Sequence, residues 1–176
     1  MAAEAMRQRL ASMPPCHLNG QHPPPAGQSR PLIRLRLVGE TEAVRGALQR
    51  VSARLAADGV GQDAREVAEL ALAEAMNNIV EHAFADRPGL VALDIDRCAA
   101  GLCVTLRDNG RRMPRSTLPP GTLPACGTCT DDLPEGGFGW FLIHALARNL
   151  SYRRIGSCNR LHFLLPEDEG GNSAAG

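Results

Sequence analysis

The sequence predicts an α+β fold, a two-layer α/β sandwich in which helices cover one face of a mixed, mostly antiparallel sheet. Three observations predict it. Segments of period-two apolar patterning, typical of strands, alternate with segments of helical periodicity in the order β-α-α-β-β-loop-α-β-β. Short turns join neighbouring strand segments, which favours antiparallel pairs. The length of 176 residues suits one domain with a tail.

The chain begins with a proline-rich segment over residues 1–30, which we expect to be a flexible tail. Ordered structure is expected over residues 31–166, where it begins with a strand of alternating apolar and basic residues at 32–38. Residues 167–176 are expected to be disordered.

Helical spacing follows the first strand. Thr41 is the expected N-cap of the first helix, and Asp58-Gly59 ends it. A second helix is expected over 63–84 and a third over 138–149. Strands are expected at 90–97, 102–107, 150–155 and 160–165, and a long loop at 109–136.

Composition excludes several classes of function. Lys plus Arg and Asp plus Glu are 19 each, so the chain lacks the broad positive charge that attracts nucleic acid or anionic membranes. One Trp, one Tyr and four Phe are too few for a platform that stacks single-stranded bases. No apolar run approaches the roughly 20 residues of a membrane span, and the N-terminus does not resemble a signal peptide. We therefore expect a cytoplasmic protein with no direct contact with nucleic acid or membrane.

The second helix carries an unusual polar edge. Glu74, Asn78 and His82 lie at positions i, i+4 and i+8, on the far side from the apolar stripe. A polar edge is most often a solvated face. Asn is a poor helix former, however, so the pair Asn77-Asn78 in mid-helix indicates a functional reason. The spacing does not decide between the two asparagines, and Glu81 also lies near this edge.

The second pattern is Arg107-Asp-Asn-Gly110 at the end of an apolar strand. An Asp at this position can accept a hydrogen bond from an exocyclic amine, and Gly110 allows the backbone to approach a flat ring. The alternative is a simple turn, because Asp, Asn and Gly all favour turns.

The third pattern is Glu135-Gly-Gly-Phe-Gly-Trp140, which leads into a helix. Small residues at such a junction leave backbone N–H groups free to face an anion. The run is neither a dinucleotide fingerprint nor a Walker A loop, and the alternative is a flexible hinge.

Taken in order, these three patterns resemble the Bergerat-type ATP-binding domain shared by gyrases, histidine kinases and heat-shock chaperones. The spacing is most similar to that of the anti-sigma-factor serine/threonine kinases of bacterial partner-switching systems. The resemblance extends over about residues 32–165. It implies an ATP-dependent protein serine/threonine kinase of the histidine-kinase-like ATPase fold.

The resemblance also implies roles for individual residues of the two helical patterns. Asn78 would bind the Mg²⁺ that bridges the ATP phosphates, because an amide oxygen is a hard ligand. Glu74 would act as general base on the substrate hydroxyl. His82 would lie near the phosphates. Backbone amides of the run Gly137, Phe138 and Gly139 would hold phosphate.

At the strand end, the resemblance implies that Asp108 recognises the adenine amino group and that Gly110 leaves room for the ring. Residues 111–136 would form a lid over ATP. The family often has a second Gly where this chain has Arg112, and we expect either Arg112 or its neighbour Arg111 to contact phosphate instead.

The partners implied by the resemblance are a sigma factor and a small anti-sigma-factor antagonist of the STAS type, and the family commonly forms homodimers. Three alternatives stay open. The chain could hold ATP and sequester a partner without phosphoryl transfer, or be the catalytic domain of a histidine kinase. It could also bind zinc through Cys126 and Cys129, although no second CxxC is present.

Overall fold

The computed structural model describes residues 29–86, 89–122 and 138–167. The predictions for residues 1–28 of the tail, for residues 123–136 of the lid, for Gly137 and for the C-terminus beyond residue 167 lie outside the described residues. Within the described part, no helix is both long enough and apolar enough to cross a bilayer.

The described residues form five strands and three α-helices in the predicted order. The strands are β1 (Arg30–Val38), β2 (Leu90–Cys98), β3 (Gly101–Asp108), β4 (Arg148–Ile155) and β5 (Cys158–Leu165). The α-helices are α1 (Thr41–Ala57), α2 (Gln62–Asn78) and α3 (Phe138–Leu146). A π-helical turn, Ile79–Ala83, extends α2, and a short 3₁₀ turn lies at Pro114–Ser116.

The sheet has the strand order β1-β2-β3-β5-β4, and all four neighbouring pairs are antiparallel. The predicted fold class is therefore confirmed. Because β3 pairs with β5 rather than with β4, the ends of β3 and β5 lie side by side: Asp108 is directly opposite Asn159. This pairing brings together two polar residues that are 51 positions apart in the chain.

The core lies between the helices and one face of the sheet. Along β2, Val91, Leu93 and Ile95 are buried, whereas the alternating Asp94 and Asp96 are only partly buried on the opposite face. In β3 and β5 the alternation is limited to part of each strand, because Gly101–Val104 and Phe163–Leu165 are buried without interruption. Helix α2 packs between α1 and α3, so its residues face protein on two sides.

Three local expectations differ from the structure. Glu40, not Thr41, is the N-cap of α1, because the Glu40 carbonyl accepts the first helical hydrogen bond from Val44 N–H. Helix α3 ends at Leu146, since β4 begins at Arg148. The last turn of the predicted second helix is a π turn rather than an α turn. Helical periodicity in the sequence does not distinguish these alternatives.

Candidate functional site

The polar edge of α2 ends in the π turn Ile79–Ala83. The turn is closed by a hydrogen bond of 3.1 Å from the N–H of Phe84 to the carbonyl of Ile79. A π turn inserts one extra residue and rotates the side chains that follow, and such turns are frequent at functional sites. Here Asn78, just before the turn, and His82, within it, both line one cavity.

This cavity has a volume of about 680 Å³, which lies in the range of small-molecule sites. The π turn, the end of β3, the segment that follows β3, helix α3 and the β4–β5 pair surround it. Four of the predicted site residues line it: Asn78, His82, Asp108 and Arg112. The structure therefore brings together residues from the second helix and from the Asp-Asn-Gly strand end.

Asp108 is buried at the base of this cavity. Its Oδ1 accepts two hydrogen bonds, one of 2.8 Å from the backbone N–H of Gly110 and one of 2.7 Å from Nδ2 of Asn159. Burial raises the pKa of the carboxyl, and these two hydrogen bonds, together with the charge of Arg154, oppose the rise. Both bonds from described residues go to Oδ1, so Oδ2 is left for a group in the cavity.

Asn159 is the buried residue that sequence reasoning missed. Its Nδ2 donates to Asp108 and, at 2.8 Å, to the carbonyl of Arg111. Its Oδ1 accepts from the hydroxyl of Tyr152 at 2.7 Å and from the guanidinium of Arg154 at 2.8 Å. A fully bonded buried amide fixes the carboxyl that it contacts. No local pattern marks Asn159, because strand pairing alone places it beside Asp108.

Glu74 and Asn78 are half-buried beneath the first turn of α3, whereas His82 is exposed, so two of the three positions of the polar edge lie against protein. A Cβ built on Gly139 would lie 2.6 Å from Oε2 of Glu74 and 3.3 Å from Nδ2 of Asn78. With any other residue at 139, the Glu74 carboxylate would have to move away from its position against α3. Nδ2 of Asn78 is buried and has no hydrogen-bond partner among the described residues. An orphaned buried amide beside a carboxylate indicates a position prepared for a ligand.

Gly110 allows a close contact within the protein, with Ala83, and not the expected approach of the backbone to a ligand ring. A Cβ at 110 would lie 2.6 Å from both Cβ and the carbonyl oxygen of Ala83. The next residue, Arg111, donates its backbone N–H to that same carbonyl at 2.9 Å. The structure therefore shows Gly110 packed against the π turn, and not in the lining of the cavity.

The two arginines after Gly110 differ in their contacts. Arg111 pairs with Asp86, with 3.0 Å between the guanidinium and carboxylate atoms. Arg112 is exposed, lines the cavity and makes no ion pair with a described residue. Arg111 also lines the cavity, so both arginines border it, and Arg112 is the one of the two without an ion pair to a described residue.

Other predicted residues lie away from the lining or outside the description. Phe138 begins α3 and is 50% exposed. Neither Phe138, Gly139 nor Glu74 lines the cavity, and Gly137 lies outside the described residues. Trp140 of α3 lines the cavity, although the sequence patterns did not single it out.

The first part of the predicted lid, residues 111–122, is anchored at two points. The backbone N–H of Met113 donates to the hydroxyl of Tyr152 at 3.0 Å. Nε2 of His144 on α3 lies 3.0 Å from the carbonyl of Pro119. The segment therefore lies along one side of the cavity and connects β4 with α3.

The residues of 29–86, 89–122 and 138–167 contain no group of three or more His, Cys, Asp or Glu side chains arranged to hold a metal. The zinc alternative involves Cys126 and Cys129, which lie outside these ranges.

Comparison with known proteins identifies a family that this chain matches. Residues 37–164 match the Histidine kinase-like ATPase domain family. No curated protein gives a significant match. Solved structures that match include the Erythrobacter litoralis EL346 blue-light activated histidine kinase, with 23% sequence identity and a TM-score of 0.47. That match covers 71% of this chain and 42% of the kinase chain.

Proposed function

The chain belongs to the Histidine kinase-like ATPase domain family, and from this premise we propose that it is an ATP-dependent protein serine/threonine kinase that acts as an anti-sigma factor. Family membership supports ATP binding and phosphotransfer chemistry in general. The observation that carries the proposal is the cavity itself. It has a buried carboxylate, Asp108, at its base and an orphaned amide, Asn78, in its wall.

The adenine end of the site would be at Asp108. Asn159 and the N–H of Gly110 hold Oδ1, so Oδ2 would accept a hydrogen bond from the exocyclic amine of adenine. A buried carboxylate that forms such a bond discriminates strongly against a base with a carbonyl at that position, because two acceptors would then face each other. This geometry favours an adenine nucleotide over a guanine nucleotide.

The phosphate end would be at Asn78. Its amide has no partner in the described part of the chain, and the carboxylate of Glu74 is next to it across Gly139. The amide oxygen of Asn78 is a ligand that Mg²⁺ accepts together with phosphates, so this side chain fits the metal, and Glu74 is left free beside it. Rotation of the Asn78 amide about its last torsion directs either the oxygen or the nitrogen toward the ligand.

The phosphates would also meet positive charge and backbone donors. Arg112 lines the cavity without an ion pair to a described residue. Helix α3 begins at Phe138, and the N-terminus of a helix favours an anion. Bound Mg²⁺–ATP would supply the transferable phosphoryl group and screen its charge.

Glu74 would act as the general base. It lies at the junction of α2 and α3 rather than deep in the cavity, where a hydroxyl of a protein substrate could approach from outside. A carboxylate at that position would accept the serine or threonine proton as the oxygen attacks phosphorus. Binding of ATP alone needs Asn78 and Asp108 but no such base.

The protein substrate would be a small anti-sigma-factor antagonist of the STAS type, and the alternative partner would be a sigma factor. A phosphate on the antagonist adds about −1.5 to −2 charge, which weakens a close interface by repulsion and desolvation. Phosphorylation would thus release the kinase to bind the sigma factor. We propose that the chain acts as a homodimer in this cycle.

The test compares Glu74→Gln with Glu69→Gln, which changes an exposed glutamate on the same helix. Each variant is mixed with Mg²⁺–ATP, and binding is measured by calorimetry. Phosphate transfer is then measured to proteins retained by the immobilised chain from a lysate of its source organism. We expect Glu74→Gln to bind ATP normally and to lose about 10²–10⁴-fold in transfer rate, and Glu69→Gln to keep both.

Each other outcome contradicts part of the proposal. Full transfer by Glu74→Gln would show that another group is the base. ATP binding without transfer by the wild-type chain would favour the alternative of a regulatory module that sequesters a partner. Acid-labile phosphate on the product would indicate a phosphohistidine, and absence of ATP binding would refute the assignment of the cavity.

A further inference from the structure

Cys98 and Cys103 form a close pair of thiols far from the nucleotide cavity. Their Sγ atoms are 3.1 Å apart across the β2–β3 turn, and both are free cysteines. Strand register explains the contact. Asp96 is directly opposite Cys103 and Cys98 is directly opposite Gly101, so the two cysteines are diagonal neighbours on one face of the sheet.

This face is the one that the helices do not cover. Cys98, at the end of β2, is half-buried, whereas Cys103 is buried. An oxidant in solution therefore reaches Cys98 first. Burial raises the pKa of the Cys103 thiol to about 12, and the neighbouring Cys98 adds to the rise. Cys103 is therefore a protonated thiol at neutral pH.

We propose that Cys98 and Cys103 are a site of reversible oxidation by peroxide, in which an internal disulfide forms across the β2–β3 turn. The sulfur atoms need to approach by only about 1 Å to reach the length of a disulfide bond. This proposal does not depend on the proposed function, because β3 runs from the thiol pair to Asp108 and separates the two sites by the length of the strand.

The chemistry balances with hydrogen peroxide as the oxidant. Cys98 sulfur attacks one peroxide oxygen, the O–O bond breaks, and a sulfenic acid and one water form. Cys103 sulfur then attacks the sulfenic sulfur. The S–S bond forms as the S–O bond breaks, and the Cys103 proton leaves with the oxygen as a second water. The two thiols together lose two electrons, and peroxide gains them.

The sequence separates this pair from the other cysteines in a tryptic digest. Cleavage after arginine gives a peptide 98–107 that contains both Cys98 and Cys103. Peptide 155–160 contains only Cys158, and peptide 116–148 contains Cys126 and Cys129. Cys16 lies in a further peptide that begins at residue 10, so peptide 98–107 contains no cysteine other than Cys98 and Cys103.

In the experiment, the full chain is treated with hydrogen peroxide, unfolded in guanidinium chloride so that every remaining thiol can react, alkylated, digested and examined by mass spectrometry. We expect peptide 98–107 to escape alkylation and to be lighter by two hydrogen atoms, and dithiothreitol before alkylation to restore both thiols. Peptide 155–160 is the internal control and should be alkylated throughout, since Cys158 is buried. Cys103→Ser should abolish the two-hydrogen loss and leave a sulfenic acid at Cys98 that dimedone traps.

Two results would overturn the proposal. One is a peptide 98–107 that remains alkylated at both cysteines at peroxide doses that already oxidise Cys158. The other is a disulfide that links two chains, seen as a dimer on a non-reducing gel that Cys98→Ser removes.

Discussion

Asp108 and Asn159 lie directly opposite each other at the ends of β3 and β5, and their hydrogen bond fixes the orientation of the carboxyl. The pair explains how a buried charge is tolerated here. Asn159 and the Gly110 N–H satisfy one oxygen, and the other is left for a ligand. At the residue scale, the cavity is therefore organised before any ligand binds.

The two adjacent asparagines of α2, Asn77 and Asn78, provide a matched pair of substitutions for testing the phosphate end of the site. Asn78 lines the cavity, whereas its neighbour Asn77 does not. We expect Asn78→Ala to weaken binding of Mg²⁺–ATP by roughly 10–100-fold, the equivalent of a lost bond to a charged group, and Asn77→Ala to change it little. Calorimetric titration measures both. Equal effects of the two substitutions would contradict the assignment of Asn78.

The buried carboxyl also predicts a pH dependence of stability. Because burial raises the pKa of Asp108, its contribution to folding is greatest below the unfolded pKa and is lost as pH rises through the folded pKa. Asn at 108 keeps an oxygen for Asn159 but does not ionise. The free energy of unfolding of Asp108→Asn, minus that of wild type, should therefore increase in urea titrations as pH rises through the raised pKa of Asp108. A constant difference would refute this account.

At the scale of elements, the approach of α3 to α2 depends on Gly139. The helix crosses where Glu74 and Asn78 are half-buried, and a Cβ at 139 would displace the Glu74 carboxylate from its present position. The π turn at the end of α2 has a related role, since it brings Ala83 against Gly110 and His82 to the cavity. Two helix ends and one strand end are thereby held around a single cavity.

Two glycine-to-alanine substitutions in helices test this packing. Gly139→Ala would displace the Glu74 carboxylate, because the new Cβ would lie 2.6 Å from Oε2. We expect phosphate transfer to fall on the order of 10²-fold, as misplaced catalytic groups do. Gly46→Ala in α1 is the control: a Cβ there meets no atom within 4 Å, so it should stabilise the fold by about 0.5–1 kcal/mol and leave transfer unchanged. Transfer by Gly139→Ala at the wild-type rate would contradict the role of the contact.

At the scale of the whole molecule, the antiparallel sheet separates the described chain into two chemical regions. The helix-covered face ends at the cavity, where Asp108 and Asn159 meet. The opposite face carries partly buried ion pairs, such as Arg34 with Asp94, and the close thiols of Cys98 and Cys103. The distance between the two regions allows each to change without altering the other.

The sequence by itself determined the order and type of the elements, because the alternation of apolar residues follows directly from how strands and helices bury one side. Local patterns also marked Asp108 and the polar edge with His82, because polar side chains at unusual positions are visible along the chain. The choice of Asn78 over Asn77 and the role of Arg112 came from the resemblance to a known family. The structure brings these four residues to one cavity.

Only the tertiary structure decided what those residues contact. The pairing of β3 with β5 places Asn159 beside Asp108, and the packing of α3 on α2 encloses Glu74. The π turn made Gly110 a packing residue instead of the expected space for a ring. Such contacts join positions that are far apart in the chain, and periodicity within a segment carries no information about which segments become neighbours.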